Sequence, residues 1–280
     1  MEAEQQKSTV QVIVHSFFVV PFLIAVFGVL VFFIWRLLTY EPKGAEEYLA
    51  DIKIGSATKR WQSAFELSRL LADPNMLQVS DGFVSEMHSA YEYALRDPDT
   101  RVRQYLIRAM GQTANPSFQQ TIQNALKEQN EDVVADAIYS LSFFNEVENV
   151  KLIGQKTDHP SSLVRNRAAI ALGTMTPGES FKGLRSLLSD PEPNVRWNAA
   201  VSLAKHGDPS GRNVLMNLLD RSYLAKFSGV DRYEREQAMR VAVQAAAMLD
   251  DSEIDDVLKT LSVTDENLQL RDLAMKALKL

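Results

Sequence analysis

No cysteine occurs among the 280 residues. That absence excludes a disulfide framework, a thiolate zinc site and a cysteine nucleophile. Histidine is scarce as well: His15, His88, His159 and His206 are scattered and precede Ser16, Ser89, Pro160 and Gly207, a poor basis for a metal-ligand set. Positive charge is also in deficit, with 30 Lys and Arg against 36 Asp and Glu for a formal net charge of −6. Within residues 1–40 Glu2, Glu4, Lys7 and Arg36 cancel, so the surplus acid belongs to the remainder of the chain. Nucleic-acid binding needs a basic surface to neutralise phosphates, and this balance opposes it. No Gly-x-Ser-x-Gly elbow is present, nor a strand scaffold to raise one. Gly173 to Ser180 has the glycine spacing of a phosphate loop, but Glu179 stands where the lysine belongs and the segment falls at an inter-helix turn. The sequence therefore predicts no catalytic residues, no metal and no cofactor.

One long hydrophobic run is present. From Ser8 to Trp35 the only ionisable side chain is His15, and Val10–Leu38 is dominated by Val, Phe, Ile and Leu. Roughly 20 such residues span a bilayer. The leader Met1 to Lys7 has a single lysine and no Ala-x-Ala site follows, so the run is read as an uncleaved transmembrane anchor behind a tail, residues 1–9. Trp35 and Tyr40 sit where an interfacial aromatic belt would lie. Lys7 alone precedes the run, whereas Arg36, Lys43, Lys53, Lys59 and Arg60 follow it, which places the rest of the chain in the cytoplasm of a single-pass cell-membrane protein.

After a linker at residues 39–44 the chain repeats itself. Val102, Val133, Val164 and Val195 recur at a step of 31 residues, and the step resumes from Met239 to Leu270. Met110, Leu141, Leu172 and Leu203 keep the same step, as do Leu95, Leu126, Leu188 and Leu219 with one break at Thr157. Each copy carries a stripe at helical spacing, such as Val195, Ala199, Ala200 and Leu203, and Lys205-His206-Gly207 closes that helix with a cation and a glycine for the left-handed cap. Asp190 and Pro191 are expected to open it, as cap and first-turn proline. A unit of this length cannot bury its apolar face alone, so copies must stack. Seven second helices are expected, starting near residues 59, 101, 132, 163, 194, 235 and 268. Arg196 to Arg240 is 44 residues, 13 more than the step, which marks an insertion near 220–234; 12 extra residues lie between Arg60 and Arg103.

The phrase Asp-Pro-x-x-x-Val-Arg, followed by Ala-x-x-Leu-Gly, resembles the short HEAT-like repeats of bacterial and archaeal proteins, also called the phycobilin-lyase type. The resemblance covers residues 45–280 and implies an all-α, HEAT-like α-solenoid of about seven helical hairpins preceded by one transmembrane helix. It also implies that repeat arginines, here Arg103, Arg165, Arg196, Arg240 and Arg271, pair with aspartates of neighbouring turns such as Asp97 and Asp190. One unit departs: Val134 replaces the arginine, and bulky Ile138, Tyr139, Phe143 and Phe144 replace small residues, as a thicker core layer or a partner's seat. Deoxyhypusine hydroxylase, an iron enzyme of related repeats, uses His-Glu dipeptides, and none occurs here.

Solenoids recognise partners on the concave face and through inserted loops. Trp61 and Trp197 hold equivalent places in the row two positions after the repeat valine; Tyr105, Asp136, Arg167 and Asn198 form the next row, and its changing identity from copy to copy suits an exposed position. Either tryptophan serves as a binding anchor or packs across the neighbouring repeat. The insertion gathers Tyr223, Phe227 and Tyr233 among basic residues, a composition of interfaces and also of a loop closing over a core. The expectation is a non-enzymatic, membrane-anchored scaffold or adaptor holding a protein partner, plausibly a membrane complex. The alternative is a lyase-type HEAT subunit using its groove for a ligand or cofactor.

Overall fold

The computed structural model describes residues 15–38, 43–73, 80–176 and 180–278. The expected tail, Val10 to Val14, Tyr40, Gly178 and Glu179 lie outside the described residues. Two compact units result, Met1–Gly44 and Ala45–Leu280.

The first unit is one helix, α1 (Val20–Leu38), entered through a π turn at His15–Val19. Pro21 has no N–H to give to the preceding turn, and the irregular winding sits directly before it. Phe17–Leu38 is 22 residues with mean hydropathy 3.0 and no buried side chain, long and apolar enough to cross a membrane.

The second unit is seven hairpins. The first helices are α2 (Ala45–Ile54), α4 (Asp81–Ala94), α6 (Gln119–Ala125), α8 (Val147–Gly154), α10 (Ser180–Leu187), α12 (Arg212–Leu218) and α15 (Ser252–Thr264). Their second helices are α3 (Ala57–Leu70), α5 (Thr100–Gln112), α7 (Glu131–Leu141), α9 (Ser162–Leu172), α11 (Pro193–Lys205), α14 (Arg232–Ala246) and α16 (Leu268–Ala277), with a short α13 (Arg221–Leu224) inside the sixth hairpin. Second helices pack in file, α3 on α5, α5 on α7, and so on to α14 on α16. Each begins within three residues of its expected start. Two periodic columns are core throughout: Val102, Val133 and Val164, and Met110, Leu141, Leu172 and Leu203, are all fully buried, whereas in the third Leu126 and Leu219 are buried but Leu188 is half-buried and Leu95 is exposed. This apolar interior falls into two clusters that meet on α11, one from Leu49 to Leu203 and one from Trp197 to Ala274.

Polar staples join neighbouring hairpins. Arg60 reaches forward to Asp97 (Nε to Oδ2, 2.5 Å), and Arg165 grips Asp190 through two bonds of 2.6 and 2.9 Å. Each arginine also holds its own turn: Arg165 donates to the carbonyls of His159 and Pro160, and Arg196 to those of Asp190 and Pro191. Burial alone would raise the Asp190 carboxyl, but the Arg165 guanidinium and the Glu192 amide outweigh it and hold it below the ordinary value. Asp190 is therefore not the helix cap that was expected: α11 starts at Pro193, and Asp190 accepts from Glu192 N two residues on. In the sixth hairpin α14 starts a turn earlier than the valine step implies, so Arg235, not Arg240, bonds the preceding turn, at Val230 O. Arg240 bonds Gln269 instead. Val134 coincides with His159 where the next turn's aspartate would stand, so arginine and aspartate are lost together.

Two glycines permit close approach. A Cβ on Gly111 would lie 2.7 Å from Ser140 Cα, and one on Gly173 would overlap Ser202 Oγ. Both serines use the room to donate to a carbonyl of the preceding second helix, Ser140 to Ile107 at 3.0 Å and Ser202 to Ala169 at 2.8 Å. The cap at Gly207 is left-handed (φ 73°) as expected, and Asp208 N closes back to Leu203 O at 2.9 Å. Ala114, three repeat steps earlier, takes the same hand (φ 48°) without glycine's freedom.

Candidate interaction face

The second helices present one side chain row after another, and in the first four hairpins that face is built from arginine on aromatic rings. Arg101 lies 4.3 Å from the Trp61 ring centroid. Phe65 packs edge-on against Tyr105 at 5.2 Å, with Arg108 5.9 Å from the Tyr105 ring. Arg167 covers Tyr139 at 5.7 Å, and Tyr139 meets Phe143 edge-on at 5.1 Å. Of the bulky unit flagged in the sequence, Ile138 and Phe144 are core, whereas Phe143 is 43% exposed. The three arginine–ring pairs are gathered on one face because the repeat sets successive second helices side by side.

Asp136 corrects the expectation of an exposed row. It is buried, held by Arg108 at 2.7 Å, and burial raises its carboxyl above the ordinary value despite that partner. Arg108 is itself well exposed, so the charge this unit offers outward is the arginine's. Arg167 Nε is buried with no hydrogen-bond partner. Asn198 donates to Asn166 Oδ1 at 2.7 Å, joining α11 to α9.

Trp197 is also buried rather than exposed. It meets Phe227 edge-on at 5.1 Å, and Phe227 meets Tyr223 at 5.2 Å, so three candidate residues form one cluster over the second core. The insertion therefore closes over the core: Leu224 is buried, and Arg221 binds Asp265 at 2.7 and 2.8 Å and Glu236 at 2.8 Å. A capping box at Asp231 and Glu234 then starts α14. Tyr233 alone of the insertion's aromatics is largely exposed. Trp197 also borders a cleft of about 310 Å³ with Asn194, Asn198, Val230 and Gln237. Its indole N–H is buried without an acceptor. Phe65, Arg101 and Arg108 join this face without having been singled out, since nothing local distinguishes them from ordinary helix-surface residues. Among the described residues no cluster of His, Asp and Glu could hold a metal ion.

A family model for HEAT repeats matches residues 90–153 and 150–226. No curated protein matches the chain in sequence. Among solved structures it is similar to a chain of the CpcE–CpcF complex of phycocyanin lyase from Nostoc sp. PCC7120, at 16% identity and TM-score 0.55, covering 85% of this chain and 96% of that one. It is similar also to Escherichia coli YibA, at 18% identity and TM-score 0.53, covering 86% and 99%. At these identities the likeness speaks to fold alone. Hairpin array, repeat phrase and family match agree: residues 90–226 carry HEAT repeats, and the fold is an all-α, HEAT-like solenoid with one apolar N-terminal helix.

Proposed function

We propose that this chain is a non-enzymatic scaffold, anchored in the cell membrane by α1, that holds a protein partner on its second-helix face in the cytoplasm. The observation that carries the reading is the run of arginines laid over Trp61, Tyr105 and Tyr139 beside the exposed Phe143. Arginine and large aromatics dominate the energetics of protein interfaces, and the aromatic rings bury area at low entropic cost. An acidic chain that assembles this surface from four different hairpins presents to a partner what its overall composition lacks.

Membrane anchoring is supported by the exposure of every side chain from Phe17 to Leu38. Burying one Val, Leu or Phe is worth roughly 1.5–3 kcal/mol, so lipid around this helix contributes tens of kcal/mol. Tethering also raises the effective concentration of a modest binder near other membrane proteins.

A photoreactive phenylalanine analogue at Phe143 or Tyr233 in membranes of the producing cell tests the reading. A discrete crosslinked partner is expected at these positions and none at Val263, exposed on the first-helix layer. Equal labelling at all three sites would refute it. Extraction of the full chain by alkaline carbonate would refute the anchor. Activity of a phosphatase that works only outside the cytoplasm, fused to the C-terminus, would reverse the orientation.

A further inference from the structure

Two clefts meet on the face formed by α11, α14 and α16, and Val241 lines both. The cleft of about 310 Å³ lies toward the amino ends of α11 and α14, beside Asn194, Trp197, Asn198 and Gln237. The other, about 470 Å³, lies toward the carboxyl ends of all three helices, beside Lys205, Gln244, Met248, Leu273 and Lys276. Between them the floor is apolar, with Val201 and Ala238 on one side of Val241 and Ala245 on the other. Val241 and Met248 are 38% and 56% exposed, unusual for apolar side chains on a helix's packed flank.

The chemistry differs along the trough. The carboxyl-end cleft has two lysines and no carboxylate among its lining residues. Lys205 makes no ion pair among the described residues, and Lys276 makes only an exposed one with Asp272, which water already screens. The amino-end cleft is rich in side-chain amides, and its one carboxylate, Glu234, accepts from Asp231 N at the cap of α14. Asn198 and Gln237 donate their amide hydrogens elsewhere, to Asn166 and Tyr233, which leaves their carbonyl oxygens to accept. These acceptor oxygens call for N–H donors, which an extended backbone supplies and a helix keeps for its own carbonyls.

We infer that this trough is a docking site for an extended, acidic and apolar segment of a partner protein, its backbone against Asn194, Asn198 and Gln237 and its carboxylate between Lys205 and Lys276. From Ala238 to Met248 is about 15 Å of helix. An extended chain covers that in about five residues. The inference rests on the reading of the chain as a protein-binding scaffold and gives the partner's segment its chemistry.

The test uses the full chain in lipid nanodiscs and end-capped hexapeptides that alternate Leu or Val with Ser and finish in Asp-Glu, Ser-Ser or Lys-Lys. Fluorescence anisotropy is expected to rank the acidic set tightest, by about tenfold or more over the lysine set. Lys205→Glu with Lys276→Glu, both on the surface, is expected to invert that ranking, a result that misfolding would not produce. Val241→Asp is expected to abolish binding of every set. Equal affinity for the three endings, no binding of any, or a ranking unchanged by the double reversal would overturn the site. Displacement of the acidic set by oleate at lower concentration than by the peptide itself would also overturn it, in favour of a single-chain lipid. Crosslinking at Phe143 reports on the scaffold reading at a separate place, so the trough can fail while that reading stands.

Discussion

Replacing Arg165 with alanine isolates the polar staple from the apolar core around it. The Arg165 side chain is 12% exposed and that of Asp190 4%. Removing the arginine leaves a buried carboxylate with the Glu192 amide at 2.9 Å as its remaining donor. Deleting one member of a buried pair costs 3–5 kcal/mol where no water reaches it, and the lower end applies here because the Pro160 carbonyl it also serves is exposed, so about 3 kcal/mol is expected. The double variant Arg165→Met with Asp190→Leu removes both charges and is expected to recover most of that loss. Urea unfolding followed by circular dichroism measures both. The pH dependence has a defined sign. In the native chain the Asp190 pKa is depressed, so its contribution is present above the ordinary carboxylate pKa of about 4 and is lost as pH falls through the lower folded value. In the alanine variant burial is left to raise that pKa, so the gap between the two proteins is widest near pH 7 and narrows below about pH 4. A loss under about 1 kcal/mol, or one that does not change between pH 7 and pH 3, would refute the argument.

Gly111→Ala forces a Cβ to 2.7 Å from Ser140 Cα, and a loss of about 1–3 kcal/mol in thermal or urea unfolding is expected because backbone, not a flexible side chain, must move. Ala114→Gly relieves a left-handed residue and is expected to stabilise by about 1 kcal/mol, read as a raised Tm. Burial first, and the nearby charge of Glu128 second, push the Tyr91 phenol up to about 12. One of eight tyrosines should therefore ionise late in an ultraviolet titration, and the stability it contributes below about pH 10 is lost as pH rises through 12. Truncating Tyr105 to alanine uncovers Phe65 and removes the ring beside Arg108, which stays bound to Asp136, and is expected to weaken partner crosslinking at Phe143 while leaving stability within about 2 kcal/mol of the parent.

The architecture was readable because a 31-residue step imposes itself on every copy: the valine column and the column from Met110 to Leu203 that are evident in the chain are buried throughout. Contacts between hairpins were not readable in the same way. Asp136 looks like one variable surface residue among four until Arg108, 28 positions away, is seen to hold it. The Tyr223 and Phe227 rings have the composition of an interface, and composition does not say whether Trp197 or a partner meets them. Arg240 fits the repeat phrase, but a capping box at Asp231 starts α14 early and hands the turn to Arg235, one helical turn before. The clefts beside Val241 arise from three helices that are distant in sequence, and no local pattern announces them.

The seam between α7 and α9 lacks both devices that lock its neighbours. Val134 and His159 supply no arginine–aspartate grip there, and Ser142 stands one repeat step after Gly111 and one before Gly173. Across it run the paired bonds of Asn145 with Thr176 and a lysine, Lys156, donating to Leu126 O. Its cohesion rests instead on the apolar layer between the two helices, where Val133, Leu141, Val164, Ala168 and Leu172 are fully buried, so this joint is held by packing where its neighbours add a polar clasp.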